Sequence, residues 1–326
     1  MMKTIALATS IVLTLFGTAV AGELTADAIN SASLQAIPPE RPAQKDPSQP
    51  DPAIVRLQVL LDRAGSSPGV IDGHYGENVT KAVAGFETLQ NLSPDGKLDP
   101  DVVQRLSDNA PVIQPYRITE DDAADLVDKI PKDYAKQAKM KHLGYTSIAE
   151  KLSERFHMDI DLLKALNSGV EFNVGATVLV ATPGDTKAGS VKHIEVHRKS
   201  GQVLAFAADG ALLAAYPATI GSEETPSPSG THKVKGVARM PPYIYNPKIN
   251  FQQGKNKKIL KLPSGPNGPV GSVWIDLTEP TYGIHGTPEP SLIDKVGSHG
   301  CVRLTNWDAQ ELAGMVKPGV VVEFTD

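Results

Sequence analysis

The chain reads as multidomain: a mainly-β, β-sandwich-like C-terminal domain preceded by a small three-helix domain and a small α+β module. Three observations predict this. A length of 326 residues suits two or three domains. Up to about residue 182 the apolar residues recur at helical spacing, whereas after Thr182-Pro183-Gly184-Asp185 short alternating stretches take over. Many of the 26 prolines fall between these segments, as linkers place them. With 40% apolar and 21% charged residues the composition is that of an ordinary globular protein, and a net charge of −5 without a basic stripe excludes a nucleic-acid binder.

Residues 1–21 read as a signal peptide. Lys3 supplies the positive start, Ile5 to Phe16 the apolar run, and Ala19-Val20-Ala21 a small-residue cleavage site. The run is short for a membrane span, and no cysteine follows it to carry a lipid. The expectation is an exported protein of the periplasm or cell wall, not integral to a membrane once the signal is removed. Residues 22–50 are polar and Pro-rich and read as a flexible linker.

Residues 51–110 form a helical unit. Ile54, Leu57, Leu60 and Leu61 share one helical face, as do Val79, Ala82, Val83, Phe86 and Leu89. The turn-rich stretch Gly69 to Gly76 lies between them, and Asp95-Gly96-Lys97-Leu98-Asp99 precedes a third helix with Val102, Val103 and Leu106. Residues 111–140 read as a solvated helical connector, with Thr119-Glu120-Asp121-Asp122 as a capped helix start. Residues 141–182 predict two helices, around Ile148 to Phe156 and through Leu162, Leu163 and Leu166, then a strand at Thr177 to Ala181. Residues 188–326 predict short strands, among them 202–207, 211–215, 230–237, 273–277, 283–285, 302–304 and 320–324. Asp209-Gly210 is a hairpin turn, and one helix runs from Trp307 to Val316.

Chemistry concentrates at Ile284-His285-Gly286-Thr287 and Ser298-His299-Gly300-Cys301-Val302-Arg303-Leu304. Cys301 is the only cysteine, so no internal disulfide can protect it, and two histidines lie within sixteen positions upstream. A thiol nucleophile needs a neighbouring base, and the base needs an orienting partner. Glycine lets backbone approach a substrate, and N–H groups around Gly300 and Cys301 suit an oxyanion site. The same residues also fit a small buried cysteine or zinc ligands, although no H-E-x-x-H or C-x-x-C accompanies them.

His285-Gly286-Thr287 followed by Ser298 to Leu304 resembles the signature of the L,D-transpeptidase (YkuD-type) catalytic domain. The resemblance extends upstream to about Ser190, through Gly221, Thr225-Pro226 and Ser229-Gly230-Thr231. One departure is Arg303, where many members carry Asn. Asp72-Gly73 with Tyr75-Gly76 and the helix after it resembles a peptidoglycan-binding domain. Residues 141–182 resemble a LysM module, with Gly144-Tyr145-Thr146 in place of the usual Gly-Asp-Thr opening. The resemblance implies a cysteine-dependent acyl transfer without a cofactor. Cys301 is the implied nucleophile, His285 the base oriented by the Gly286 carbonyl, and His299 a second histidine beside the thiol. Ser298, Gly300 and Gly286 support the loop and oxyanion region, while Arg303 and Tyr282 contact substrate. The implied partner is peptidoglycan, as stem-tetrapeptide donor and amine acceptor, with an outer-membrane protein as a further candidate acceptor. Residues 51–182 carry no reactive cluster and are expected to deliver the enzyme to the wall without shaping its chemistry. Two other classes remain open at this point: a cysteine hydrolase trimming wall peptides, and a non-catalytic peptidoglycan-binding protein.

Overall fold

A computed structural model describes residues 24–38, 49–222, 225–249, 251–298 and 300–326. The signal-peptide reading of 1–21 and the candidate His299 therefore lie outside the described residues. Residues 24–38 correct the linker expectation for 22–50. Helix α1 (Ala26–Ser31) starts at Thr25, whose hydroxyl accepts from the Ala28 amide, and a 3₁₀ turn follows at Leu34–Ala36. Ile29, Leu34 and Ile37 are buried in the core of the helical domain. The Asn30 carboxamide accepts from the Val112 and Ile113 amides at 2.8 and 2.9 Å. Three apolar residues in a segment this short give no period to read among its polar neighbours.

The helical domain holds α2 (Pro52–Ala64), α3 (Glu77–Leu89) and α4 (Pro100–Leu106). Asp51 and Asp99 cap α2 and α4, each followed by a proline whose missing N–H costs a helix start nothing. Buried Gln58 holds the turn between α2 and α3: its oxygen accepts from the Asp72 and Gly73 amides at 3.1 and 2.8 Å.

Next comes a β-α-α-β unit. Strand β1 (Ile113–Arg117) precedes two single-turn helices, α5 (Glu120–Ala123) and α6 (Tyr134–Gln137); helices α7 (Ile148–Arg155) and α8 (Ile160–Leu166) and strand β2 (Thr177–Ala181) follow. β1 pairs antiparallel with β2, from Ile113 opposite Ala181 to Arg117 opposite Thr177. This corrects the continuous helical connector over 111–140. Strand β1 contains Pro115 and buries only Ile113 of its five residues, so it shows no alternation. The first strand of the 141–182 module thus lies some thirty residues upstream, and 119–146 is a long insertion after it.

The C-terminal domain is mainly β. Its strands are β3 (His193–His197), β4 (Gln202–Phe206), β5 (Leu212–Pro217), β6 (Thr219–Ile220), β7 (Gly230–Arg239), β8 (Tyr243–Tyr245), β9 (Leu260–Leu262), β10 (Val273–Leu277), β11 (Gly283–His285), β12 (Val302–Arg303) and, after helix α9 (Asn306–Met315), β13 (Val321–Thr325). Nine of them run in the order β5-β4-β3-β13-β7-β10-β11-β12-β6. The long β7 pairs with β13 through residues 230–233 and with β10 through 234–239, joining two half-sheets. Both halves send apolar residues into one core: Val196, Val203 and Tyr216 from one side, Ile275, Ile284 and Val302 from the other, with Leu312 of α9. Strands β8 and β9 form a separate antiparallel hairpin.

The units share backbone bonds. The Ser67 amide donates to the Ala215 carbonyl and the Ala215 amide to the Gly65 carbonyl, both at 2.9 Å, which ties the helical domain to β5. Gly85 of α3 lies so close to β5 that a side-chain carbon there would sit 2.7 Å from Ala215 Cβ. The Ile71 amide donates to the His157 carbonyl at 2.8 Å, which links the first two units.

Candidate active site

Strand register sets the site. β11 and β12 run parallel with Ile284 opposite Val302 and His285 opposite Arg303, and β10 places Trp274 opposite His285. Ile284 and Val302 are buried in the core, so period-two alternation turns Trp274, His285, Arg303 and the preceding Cys301 to the other face. These four line one cleft of about 670 Å³, with Tyr134, Tyr243, Tyr282, Thr287, Glu289 and Ser298 also on its walls. Sequence reasoning brought Cys301, His285, Arg303, Tyr282 and Ser298 together; the geometry places all five on this cleft.

His285 is buried, and its ring stacks on Trp274 with centroids 5.5 Å apart. Its Nδ1 lies 2.6 Å from the Gly286 carbonyl oxygen. A carbonyl only accepts, so Nδ1 carries the proton and Nε2 keeps its lone pair. Burial, helped by the Arg303 charge, lowers the His285 pKa to about 4 against the opposing Gly286 bond. The imidazole is therefore neutral near pH 7. Burial pushes the Cys301 thiol up, while the Gly283 N–H and Arg303 favour its thiolate less strongly. Desolvation thus opposes charge on both groups of this cleft, and at rest both the thiol and the imidazole are neutral.

The described part of the motif loop is tied to Gly221, Thr225 and Ser227. Ser298 Oγ accepts from the Gly221 amide at 2.8 Å and the Gly300 amide at 3.2 Å, and donates to the Cys301 carbonyl at 2.6 Å. Thr225 Oγ1 donates to the Ser298 carbonyl and Ser227 Oγ to the Gly300 carbonyl. The Gly300 N–H is thereby engaged within the loop. Gly300 has φ +99°, and a side-chain carbon there would come 2.7 Å from the Tyr282 ring. The left-handed backbone and the ring together require glycine.

Arg303 presents a guanidinium to the cleft. Its buried Nε has no hydrogen-bond partner among the described residues, and burial lowers its pKa against the pull of Glu289 and Cys301. An unpaired buried donor of this kind favours an anionic or carbonyl ligand.

Several residues escaped the sequence reading. Buried Asn306, at the start of α9, accepts from the Ser272 amide at 2.9 Å. Its Nδ2 donates to both carboxyl oxygens of Glu154 on α7 at 3.0 Å. A side-chain carbon on Gly286 would collide with Asn306 Oδ1, so this pair packs directly beneath the carbonyl that holds His285. Glu154 is buried, and desolvation raises its pKa to about 8. Tyr134, from the 119–146 insertion, stands in the cleft wall. Residues 51–182 thus reach the site as well, beyond the delivery role expected of them. Tyr134 sat in a charged, low-apolar stretch and Glu154 on an ordinary amphipathic helix, and neither carried a motif.

The described residues contain no helix long and apolar enough to cross a membrane. Comparison with known proteins assigns two segments. Residues 191–323 match the family model for the YkuD L,D-transpeptidase catalytic domain, and residues 50–106 match the model described as "Putative peptidoglycan binding domain". The "Putative L,D-transpeptidase YkuD" of Bacillus licheniformis is 29% identical over 160 residues, which cover 49% of this chain and 80% of that protein. The protein of the same name from Bacillus subtilis (strain 168) is 26% identical over 167 residues, covering 51% and 87%. Among solved structures, L,D-transpeptidase 3 of Mycobacterium tuberculosis aligns over 46% of this chain and 65% of its own, at 17% identity and a TM-score of 0.33. The LD transpeptidase LdtMt1 in complex with imipenem aligns over 46% and 63%, at 17% identity and a TM-score of 0.34. The chain thus spans somewhat less than two thirds of these solved structures. No LysM model is among these matches.

Proposed function

We propose, from the premise that residues 191–323 are an L,D-transpeptidase catalytic domain and 50–106 a peptidoglycan-binding domain, that this enzyme transfers the acyl group of a peptidoglycan stem tetrapeptide through a Cys301 thioester. The observation that carries the reading is the shared face of Cys301, His285 and Arg303, with His285 Nδ1 committed to Gly286 and Nε2 left as the acceptor. Cys301 Sγ attacks the carbonyl carbon between stem residue three and the terminal D-alanine. The thiol proton passes to His285 Nε2, and the tetrahedral adduct collapses with C–N cleavage. The leaving nitrogen takes that proton, so D-alanine departs with a neutral amine and the acyl group stays on sulfur. An acceptor amine then attacks the thioester, gives its proton to His285, and the sulfur leaves and regains one. The new amide is a 3→3 cross-link or a bond to a protein; attack by water gives carboxypeptidase activity instead.

Arg303, on the cleft wall, binds the donor's carboxylate or carbonyl groups through its guanidinium. Ser298, with Gly221, Thr225 and Ser227, holds the motif backbone in place. His299, by family resemblance, stands beside the nucleophile. The N-terminal domain keeps the enzyme on the polymer, in keeping with export to the periplasm or wall. Incubating the mature chain with tetrapeptide-rich sacculi and identifying the products by mass spectrometry tests the reaction. Release of D-alanine with tripeptide-linked dimers supports transpeptidation. Release with free tripeptides alone assigns a hydrolase, and no release at all refutes the reading.

A further inference from the structure

The 119–146 insertion does more than connect. Its residues 132–134 and 143–144 clamp the hairpin that roofs the cleft. The Tyr134 ring makes edge-to-face contacts with Tyr245 at 5.4 Å, and with Tyr243 and Phe251 at 6.2 Å. Around it, the Tyr134 amide donates to Gln253 Oε1 at 3.3 Å, Gln253 Nε2 to the Lys132 carbonyl at 2.8 Å, and Asn256 Nδ2 to Asp133 Oδ1 at 2.8 Å. At the far end the Leu143 amide donates to the Ser264 carbonyl at 2.9 Å, and the Asn267 amide to the Leu143 carbonyl at 3.0 Å. Leu143, Tyr245 and Leu262 are fully buried together in a core of their own, separate from that of the sheet.

This clamp matters because β8–β9 forms a sheet of its own. Among the described residues it pairs with no strand of the nine-stranded sheet. Ile244 and Ile249 on this roof are 53% and 61% exposed, yet both face the cleft. A two-stranded hairpin is marginally stable alone, so its position depends on what it packs against. Here that support comes from outside residues 191–323.

We propose that Tyr134 is a specificity-determining residue for the acyl donor: it fixes the β8–β9 hairpin over the cleft in the position that accepts a stem peptide. This inference rests on the transpeptidase reading of the same cleft. A peptide must lie along the Tyr134–Tyr243 wall to bring its carbonyl to Cys301, whereas a reagent the size of iodoacetamide needs only the thiol end. Tyr134 therefore acts on peptide binding and leaves intrinsic thiol reactivity alone.

The test uses the mature full-length chain with Tyr134→Ala and Tyr134→Phe. D-alanine release from a tetrapeptide gives kcat and KM, and iodoacetamide alkylation of Cys301 gives thiol reactivity. Tyr134→Ala is expected to raise KM about tenfold or more, with the alkylation rate within about twofold of wild type. Tyr134→Phe keeps the ring and is expected to hold KM within about threefold. An unchanged KM in Tyr134→Ala overturns the proposal, as does a parallel fall in alkylation and turnover, or failure of Tyr134→Phe to restore KM. If Tyr134→Ala does not fold, Gln253→Ala decides, because it breaks the clamp without touching the rings: a raised KM supports the proposal and an unchanged one overturns it. A wild-type chain that releases no D-alanine would instead refute the reaction itself.

Discussion

Replacing Gly286 with alanine probes the link between the N-terminal modules and the imidazole. The added carbon would overlap Asn306 Oδ1 and lie 3.2 Å from Asn306 Cα and Cγ. Asn306 cannot swing aside cheaply: it is fully buried and bonded to the Ser272 amide, Glu154 and the Pro266 carbonyl. Overpacking at such a site costs about 1–3 kcal/mol. At about 2 kcal/mol, a chain of this length melting as one unit loses roughly 3 °C. The catalytic effect is larger, because the strain falls on the carbonyl bonded to His285 Nδ1 at 2.6 Å. A displacement near 1 Å at a positioning bond costs on the order of 10²-fold in rate. The assay pairs D-alanine release with thermal melting, for Gly286→Ala, Asn306→Ala and the double variant. Because Asn306→Ala removes the colliding oxygen, the stability losses should combine with at least about 1 kcal/mol of favourable coupling. Additivity within about 0.5 kcal/mol would refute the steric argument.

Further expectations concern protons. Since His285 must be neutral to accept the thiol proton, kcat/KM should rise with pH through about 4 and stay high to neutrality. Arg303 helps depress that value, so Arg303→Gln should move the acid limb toward higher pH, and an unmoved limb would contradict the electrostatic account. In His285→Ala, D-alanine release should fall by roughly 10²–10⁴ while hydroxide-driven alkylation at high pH persists. Glu154 has a folded pKa raised to about 8, so its stabilising contribution is present below the usual carboxylate range and lost as pH rises through about 8. The melting temperature should fall from pH 5 to 9, and Glu154→Gln should reduce that fall; an equal fall in the variant would show that Glu154 is not its source.

What the sequence made legible was short-range. The Ser298 to Leu304 motif and the upstream His285 lie on neighbouring strands, so their association is encoded within twenty residues. The helices of 51–106 follow from apolar spacing and Asp-Pro caps. What stayed hidden was long-range. Tyr134 meets the β8–β9 hairpin across more than a hundred residues, and Glu154 meets Asn306 across 152. The hairpin itself has three-residue strands, Tyr243–Tyr245 and Leu260–Leu262, too short for alternation to mark. Strand β1 was masked by Pro115 and by its exposed side chains. Such contacts are specified by complementary packing, which no local pattern reports.

The most direct test of the central claim is intact-mass spectrometry of the mature chain incubated with a stem tetrapeptide or with a carbapenem, followed by peptide mapping. The account predicts an acyl adduct on the peptide containing Cys301, and neither adduct nor D-alanine release in Cys301→Ala. Release of D-alanine by Cys301→Ala at the wild-type rate, or an adduct mapped to another residue, would contradict it.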